Sequence, residues 1–465
     1  TVLFPTAQFA IFFAVVLPLS WALMTRPRLW KPFILLASYV FYAAANWRFC
    51  LLLGGITLWN QGAARLIHRA GEDDRRRRLI CAAAVAGDLL ALGVFKYYGF
   101  FTQDIDRVLN GAGLGLPLPL LTIALPVGVS FFTFQAISYT VDVKRRLIEP
   151  ATLLDAAIYL SFFPHLVAGP IVRAREFLPQ LASPRDPTRV AVSSGLALIA
   201  LGLVKKVVLA DYLARSIVDQ VFAVPQAYGA PDALLAAYAY AAQIYCDFSG
   251  YTDMAIGLAL LMGFVFPQNF RSPYRATGLR DFWRRWHMSL SRFLRDFLYI
   301  PLGGSRGGRL FTYRNLMITM VLGGLWHGAA WTFVVWGALH GGGLVAEHIW
   351  NGRIKTPVWL RWFVTFNFVV LGWIFFRSQD LSLAGAYLKR LTVFTAPTLW
   401  TAPVLLAVVL VIGLQLLPAR GAFSFEVRFG RIRPVVLGAT FAVLVLFVAA
   451  TVPSQGVPPF IYFRF

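Results

Sequence analysis

Leu316-Met-Ile-Thr-Met-Val-Leu-Gly-Gly-Leu-Trp-His-Gly-Ala-Ala-Trp-Thr-Phe-Val-Val-Trp-Gly-Ala-Leu339 is a run of 24 residues without Asp, Glu, Lys or Arg. About 20 helical residues cross a hydrocarbon core of ~30 Å, so the run reads as a transmembrane helix. His327 is its twelfth residue. An imidazole there lies near the bilayer midplane, where an ionisable group is costly and is by default a candidate for function. Gly323, Gly324 and Gly328 surround it. Glycines at that density either let a neighbouring helix pack closely or open room for a ligand. A helix-packing hydrogen bond is the bland role for His327, and the functional role is the favoured one.

Working outward, the rest of the chain has the same character. Of 465 residues, 58% are hydrophobic and 14% are charged, where a soluble domain carries about 25% charged residues. Apolar runs recur near 3–24, 33–47, 49–67, 79–95, 120–141, 155–172, 191–213, 232–246, 252–266, 316–339, 360–376, 402–417 and 434–452. Several are too short to cross alone, so ten to twelve crossings are expected. The stretch 155–172, with Pro164 and the Gly169-Pro170 pair, reads as broken or re-entrant, which is tolerated inside protein or beside a water-filled cavity. The first run, Val2 to Met24, reads as a retained span rather than a cleaved signal. No internal repeat and no soluble domain is visible, so 1–465 is read as one membrane-embedded domain: N-terminal spans in 1–150, a core bearing the signature segments in 151–350, and C-terminal spans in 351–465.

A net charge of +22, from 43 basic and 21 acidic residues, would point to nucleic acid in a soluble protein. Here the basic groups cluster at Arg26 to Lys31, Arg75 to Arg78, Lys144 to Arg146, Lys205-Lys206 and Arg271 to Arg314. Read as short connections, they report cytoplasmic loops facing anionic lipid, and nucleic acid is not expected as a partner. Cys50, Cys81 and Cys246 show no metal-like spacing and read as buried small hydrophobes.

Asp281 to Ile300, DFWRRWHMSLSRFLRDFLYI, sorts on a helical wheel into an aromatic arc with Phe282, Trp286, Phe293 and Phe297 and a charged arc with Arg284, Arg285, Arg292 and Arg295. It reads as one amphipathic helix at the membrane surface. His287 falls among the apolar residues, where a core histidine bonded to a carbonyl and a polar group at a cavity are equally good readings. The glycine-rich loop Pro301 to Arg309, with Arg306, reads as a basic turn or as a contact for coenzyme A phosphates. In Tyr245 to Met254, Asp247 and Asp253 either mark a helix break, with Asp247 as cap, or line a reaction chamber. His165 satisfies backbone at a break or acts as a ligand, and His68 beside a basic loop reads as solvated. The three histidines His327, His340 and His348 lie on the same or a continuing helix but form no i,i+4 pair, so no metal is expected. No GxSxG elbow occurs.

Together, Phe163-Pro-His-Leu-Val-Ala-Gly-Pro170, Tyr245-Cys-Asp-Phe-Ser-Gly-Tyr-Thr-Asp-Met-Ala-Ile-Gly257, Asp281-Phe-Trp-Arg-Arg-Trp-His-Met-Ser-Leu-Ser291, Gly323-Gly-Leu-Trp-His-Gly-Ala329 and Phe460-Ile-Tyr-Phe-Arg-Phe465 resemble the membrane-bound O-acyltransferase family, in its bacterial alginate O-acetylation branch. The chain departs from that pattern at Cys246 and Arg464.

The resemblance implies an all-α polytopic bundle of about 10–12 transmembrane helices, with re-entrant or interfacial helices around a central tunnel, in the bacterial inner membrane. It implies His327 as catalytic histidine and His287 as the second polar position. Asp247, Asp253, Trp286, Ser289, Trp326 and Arg306 are the expected tunnel residues. A neutral imidazole within hydrogen-bond reach can take the proton of an attacking hydroxyl, and His287 would orient the donor or polarise the carbonyl. No permanently bound cofactor is expected. Acetyl-CoA is the expected donor, an extracellular polysaccharide such as alginate the acceptor, and a periplasmic acetyltransferase or acetyl-acceptor protein, polysaccharide synthesis and export machinery and membrane lipid the partners. The competing expectations are a non-catalytic conduit, a structural subunit of an export complex, and peptidoglycan O-acetylation.

Overall fold

The structure, a computed structural model, describes residues 4–111, 125–183, 185–350 and 356–417 and scattered positions within 435–445. All regular secondary structure among the described residues is helical. Helices satisfy every backbone group within one segment, which lipid demands. The chain forms two compact units, Thr1–Ala191 with Leu258–Phe266, and Val192–Gly257 with Pro267–Phe465.

The first unit holds α1 (Ala7–Leu23), α2 (Pro27–Ala43), α3 (Trp47–Arg69), α4 (Asp74–Gly111), α5 (Val129–Lys144), α6 (Leu153–Ser161), α7 (Phe163–Leu166) and α8 (Ala174–Ala182). Local chemistry sets several starts. Thr6, Asn46 and Thr152 accept from the Phe9, Arg48 and Asp155 N–H groups at 3.3, 3.0 and 3.1 Å, each capping a first turn. The stretch 155–172 is interrupted after Ser161, as its prolines and glycine lead one to expect. There His165 donates from Nε2 to the Tyr159 carbonyl oxygen at 2.8 Å, so it satisfies backbone at the break. Aromatic rings fill this core: Phe177 stacks on Phe264 at 4.9 Å, and the Arg185 guanidinium lies 3.8 Å from the Trp30 ring centroid. The buried Asn60 side chain is paired across helices, donating to Asp88 at 2.8 Å and accepting from Thr140 at 2.7 Å. His68 is exposed, 3.0 Å from Glu149.

The second unit holds α9 (Val192–Ala223), α10 (Ala230–Leu261, whose last turn from Leu258 belongs to the first unit), α11 (Leu279–Trp283), α12 (Met288–Leu294), α13 (Arg309–His327), α14 (Trp331–Trp350), α15 (Val358–Arg377), α16 (Leu381–Arg390) and α17 (Ala402–Leu416). Among the described residues, three helical stretches are long and apolar enough to cross a membrane, Asp74–Thr102, Val192–Ala223 and Val358–Arg377; Ala7–Leu23 and Ala402–Leu416 are shorter and apolar. The run near 434–452 is described only at scattered positions, and Phe460–Phe465 lies outside the described residues.

Three boundaries differ from the expectations. The runs 232–246 and 252–266 are joined in the single helix α10, with no break at Asp247. Lys205 and Lys206 sit within α9, not in a loop. Both differences have one cause. Lys206 Nζ lies 2.6 Å from Asp247 and 2.7 Å from Asp211, and Lys205 Nζ lies 2.6 Å from Asp253, so charges that read as loop and cap neutralise one another between two packed helices. Close approach makes this geometry possible: a Cβ on Gly202 would stand 2.5 Å from the Gly250 carbonyl oxygen, and one on Gly257 2.6 Å from that of Gly195. Small residues bring membrane helices together where the hydrophobic effect does not. The third boundary, inside 316–339, belongs to the site.

Candidate active site

His327 is not in the middle of a helix. It is the last residue of α13; Gly328 is extended, and the chain turns back into α14 at Trp331. The uncharged run is therefore two helices of a hairpin, not one span. Glycine explains the turn and the packing. A Cβ on Gly324 would meet the Phe333 carbonyl oxygen at 2.2 Å, and one on Gly337 that of Met320 at 2.4 Å. These glycines serve backbone contact between α13 and α14. His340 and His348 lie on α14, across the break from His327.

The His327 ring is buried among aromatic rings, with centroids 5.1 Å from Trp326, 5.1 Å from Trp336, 5.2 Å from Phe376 and 6.4 Å from His287. His287 is fully buried and packs edge-on against Phe248 at 4.6 Å, with Trp326 at 6.0 Å. Trp286 lies 4.9 Å from Trp373 in the adjoining aromatic cluster. Two imidazoles held this close in an apolar enclosure suit proton transfer without competition from bulk water.

The expected amphipathic helix over Asp281 to Ile300 is divided. α11 ends at Trp283, His287 adopts φ +43° and ψ +54°, and α12 starts at Met288. A left-handed conformation at a residue bearing a Cβ costs of order 1–3 kcal/mol and persists only where surroundings enforce it. Asn269 does so. Its carbonyl oxygen accepts from the Met288 N–H at 2.9 Å, and its side-chain Oδ1 accepts from the Ser289 N–H at 3.1 Å and the Ser289 hydroxyl at 2.9 Å. Residue 269 thus satisfies first-turn N–H groups that an unbroken helix would satisfy internally. The start of α11 is capped remotely as well, Glu347 accepting from the Leu279 N–H at 2.6 Å and the Arg280 N–H at 3.1 Å.

The structure thus gathers His327, His287, Trp326 and Ser289, with Trp286 in the aromatic wall. Asp247 and Asp253 are the counter-ions of Lys206 and Lys205. Arg306 is exposed on the loop after residue 300, which Asn315 anchors by donating to the Gly304 carbonyl oxygen at 2.9 Å. Sequence reasoning missed Asn269. The only local sign was a polar residue in Pro267-Gln-Asn-Phe270, a loop without periodicity. Among the described residues no group of His, Cys, Asp and Glu is placed to hold a metal ion.

Residues 90–379 match the profile of the membrane-bound O-acyltransferase family. A probable alginate O-acetylase of Pseudomonas syringae is 45% identical over 356 residues, covering 76% of this chain and 68% of that protein. A peptidoglycan O-acetyltransferase of Helicobacter pylori is 37% identical over 395 residues, covering 78% and 73%. A teichoic acid D-alanyltransferase of Streptococcus thermophilus is 30% identical over 282 residues, covering 54% and 68%.

Proposed function

The chain belongs to the membrane-bound O-acyltransferase family and is an O-acyltransferase, and on that premise we propose that it moves acetyl groups from acetyl-CoA in the cytoplasm across the inner membrane for O-acetylation of an extracellular polysaccharide of the alginate type, with a periplasmic protein completing delivery. The observation that carries this reading is the pairing of His327 and His287, buried with ring centroids 6.4 Å apart inside the matched segment. The stronger identity to the alginate O-acetylase than to the peptidoglycan enzyme favours an alginate-type acceptor.

In the reaction, a hydroxyl oxygen attacks the thioester carbonyl. The new C–O bond forms as the C–S bond breaks, the hydroxyl proton passes to His327, and the coenzyme leaves as thiolate to be protonated in turn. A positioned base contributes about 10²–10⁴-fold. Trp326, Trp336 and Phe376 keep bulk water, a competing nucleophile, away from the imidazole.

The test is release of free thiol and transfer of radiolabel from [¹⁴C-acetyl]-CoA by purified protein in proteoliposomes, with mannuronate oligosaccharide and total periplasmic extract supplied inside. Wild type releases thiol and labels internal acceptor, while His327→Ala, recovered at equal yield, stays at background. An intact thioester with wild type, as a mere conduit would leave it, or wild-type transfer by His327→Ala, overturns the proposal.

A further inference from the structure

The hydrogen bonds around Asn269 decide the protonation of His287. The Ser289 backbone N–H can only donate, so the Asn269 atom 3.1 Å from it is the carbonyl oxygen and not the amide nitrogen. The same Oδ1 lies 3.2 Å from His287 Nδ1. A nitrogen facing an acceptor must carry the hydrogen, so in the neutral ring Nδ1 is the N–H and Nε2 holds a lone pair. That Nε2 is enclosed and has no hydrogen-bond partner among the described residues. A buried polar atom left unbonded costs free energy and calls for an explanation such as a catalytic role. The left-handed backbone at His287 and the hydrogen bonds from Met288 and Ser289 to the same asparagine hold the imidazole against it.

We infer that Asn269 is a positioning residue that fixes His287 as the Nδ1–H tautomer, so that His287 meets the reacting groups through Nε2 as a hydrogen-bond acceptor. This replaces the expected polarising role. A neutral imidazole has one N–H, and His287 has already given it to Asn269, leaving none for a developing oxyanion. The acceptor partner is a hydroxyl, either that of the acyl acceptor as it approaches the thioester or a water that precedes it. Ser289 keeps the asparagine amide from turning over, since its backbone N–H needs the oxygen there and its hydroxyl donates to the same atom.

The inference rests on His287 belonging to the acyl-transfer site, and its test separates the two. Protein labelled with ¹⁵N-histidine and held in nanodiscs reports the tautomer of each ring directly, with His287→Gln assigning the signal. The wild-type His287 signal is expected to show a protonated Nδ1 and an unprotonated Nε2. Asn269→Ala is expected to move it toward the Nε2–H form and lower kcat at least about tenfold with KM for acetyl-CoA unchanged, while Asn269→Asp, which keeps an acceptor oxygen, restores the Nδ1–H signature. An Nε2–H ring in wild type overturns the inference even if His327→Ala is inactive, and so does Asn269→Ala with wild-type kcat. Should the tautomer be as stated while His287→Gln transfers acetyl normally, the placement of His287 in the site fails instead. The wild-type spectrum needs no variant, so it decides the tautomer whether or not Asn269→Ala folds.

Discussion

Gly324 and Phe333 approach so closely that a methyl group added to the glycine would stand 2.2 Å from the Phe333 carbonyl oxygen. That contact closes the hairpin whose first helix ends at His327.

Gly324→Ala is therefore expected to force α13 and α14 apart, destabilising the protein by about 1–3 kcal/mol through overpacking. Because His327 lies three residues on, displacement of the imidazole by about 1 Å is expected to lower kcat by about 10²-fold. Thermal unfolding followed by tryptophan fluorescence, with thiol release on the same preparation, measures both. Wild-type values on the two readouts would show that the hairpin tolerates a side chain there.

Lys206→Met removes the cation that lies 2.7 Å from Asp211 and 2.6 Å from Asp247. Loss of one partner from a buried ionic cluster typically costs about 3–5 kcal/mol. Sharply reduced accumulation or a lowered unfolding temperature is expected. Asp247→Asn is the milder change, since Lys206 keeps Asp211. Replacing all three charges, as Lys206→Met with Asp211→Asn and Asp247→Asn, is expected to recover part of the loss, and a triple variant worse than Lys206→Met would contradict this account.

Asp232, buried at the first turn of α10, accepts from the Thr398 N–H and hydroxyl and from the Leu399 N–H at 2.8–3.1 Å. Asp232→Ala strands those donors and is expected to cost about 1–3 kcal/mol. Limited proteolysis around residue 398 reads the local effect, and an unchanged cleavage pattern would count against it.

The exposed pair between Glu72 and Arg146, 2.8 Å apart, supplies a pH dependence of known sign. A hydrogen bond and the charge of Arg146 hold the Glu72 carboxyl below its ordinary value. A carboxyl lowered on folding stabilises above its unfolded pKa and loses that effect as pH falls through the folded one. The unfolding temperature of Glu72→Gln is expected to sit slightly below wild type at neutral pH and low salt, and the gap to close on acidification or in molar salt. A gap that widens on acidification would give the pair the wrong sign.

Much of the fold class was legible locally. Helices fill the described residues because apolar runs with few charges leave no other way to satisfy backbone in lipid, and the interruption near Pro164 followed from proline chemistry. The helix ends in the second unit were less legible. An amphipathic wheel over residues 281–300 is satisfied equally well by one helix or by two with a turn between them, and the deciding group, Asn269, is 18 residues from His287. Asp247 could be read as a cap or as part of a chamber, but not as the counter-ion of Lys206, for the same reason: its neighbours in sequence do not reveal Lys206.

The sequence by itself determined that the chain is helical and membrane-embedded, and it singled out His327, because hydropathy and the cost of an ionisable group among apolar residues are properties of a residue and its near neighbours; His287 came with the resemblance to the family. Only the tertiary structure decided that His327 ends a helix, that the two imidazoles lie together, that Lys205 and Lys206 neutralise Asp253 and Asp247, and that Asn269 stands beside His287. Each of those depends on a hydrogen bond, a charge or a backbone contact supplied from another element, and no local window contains both partners.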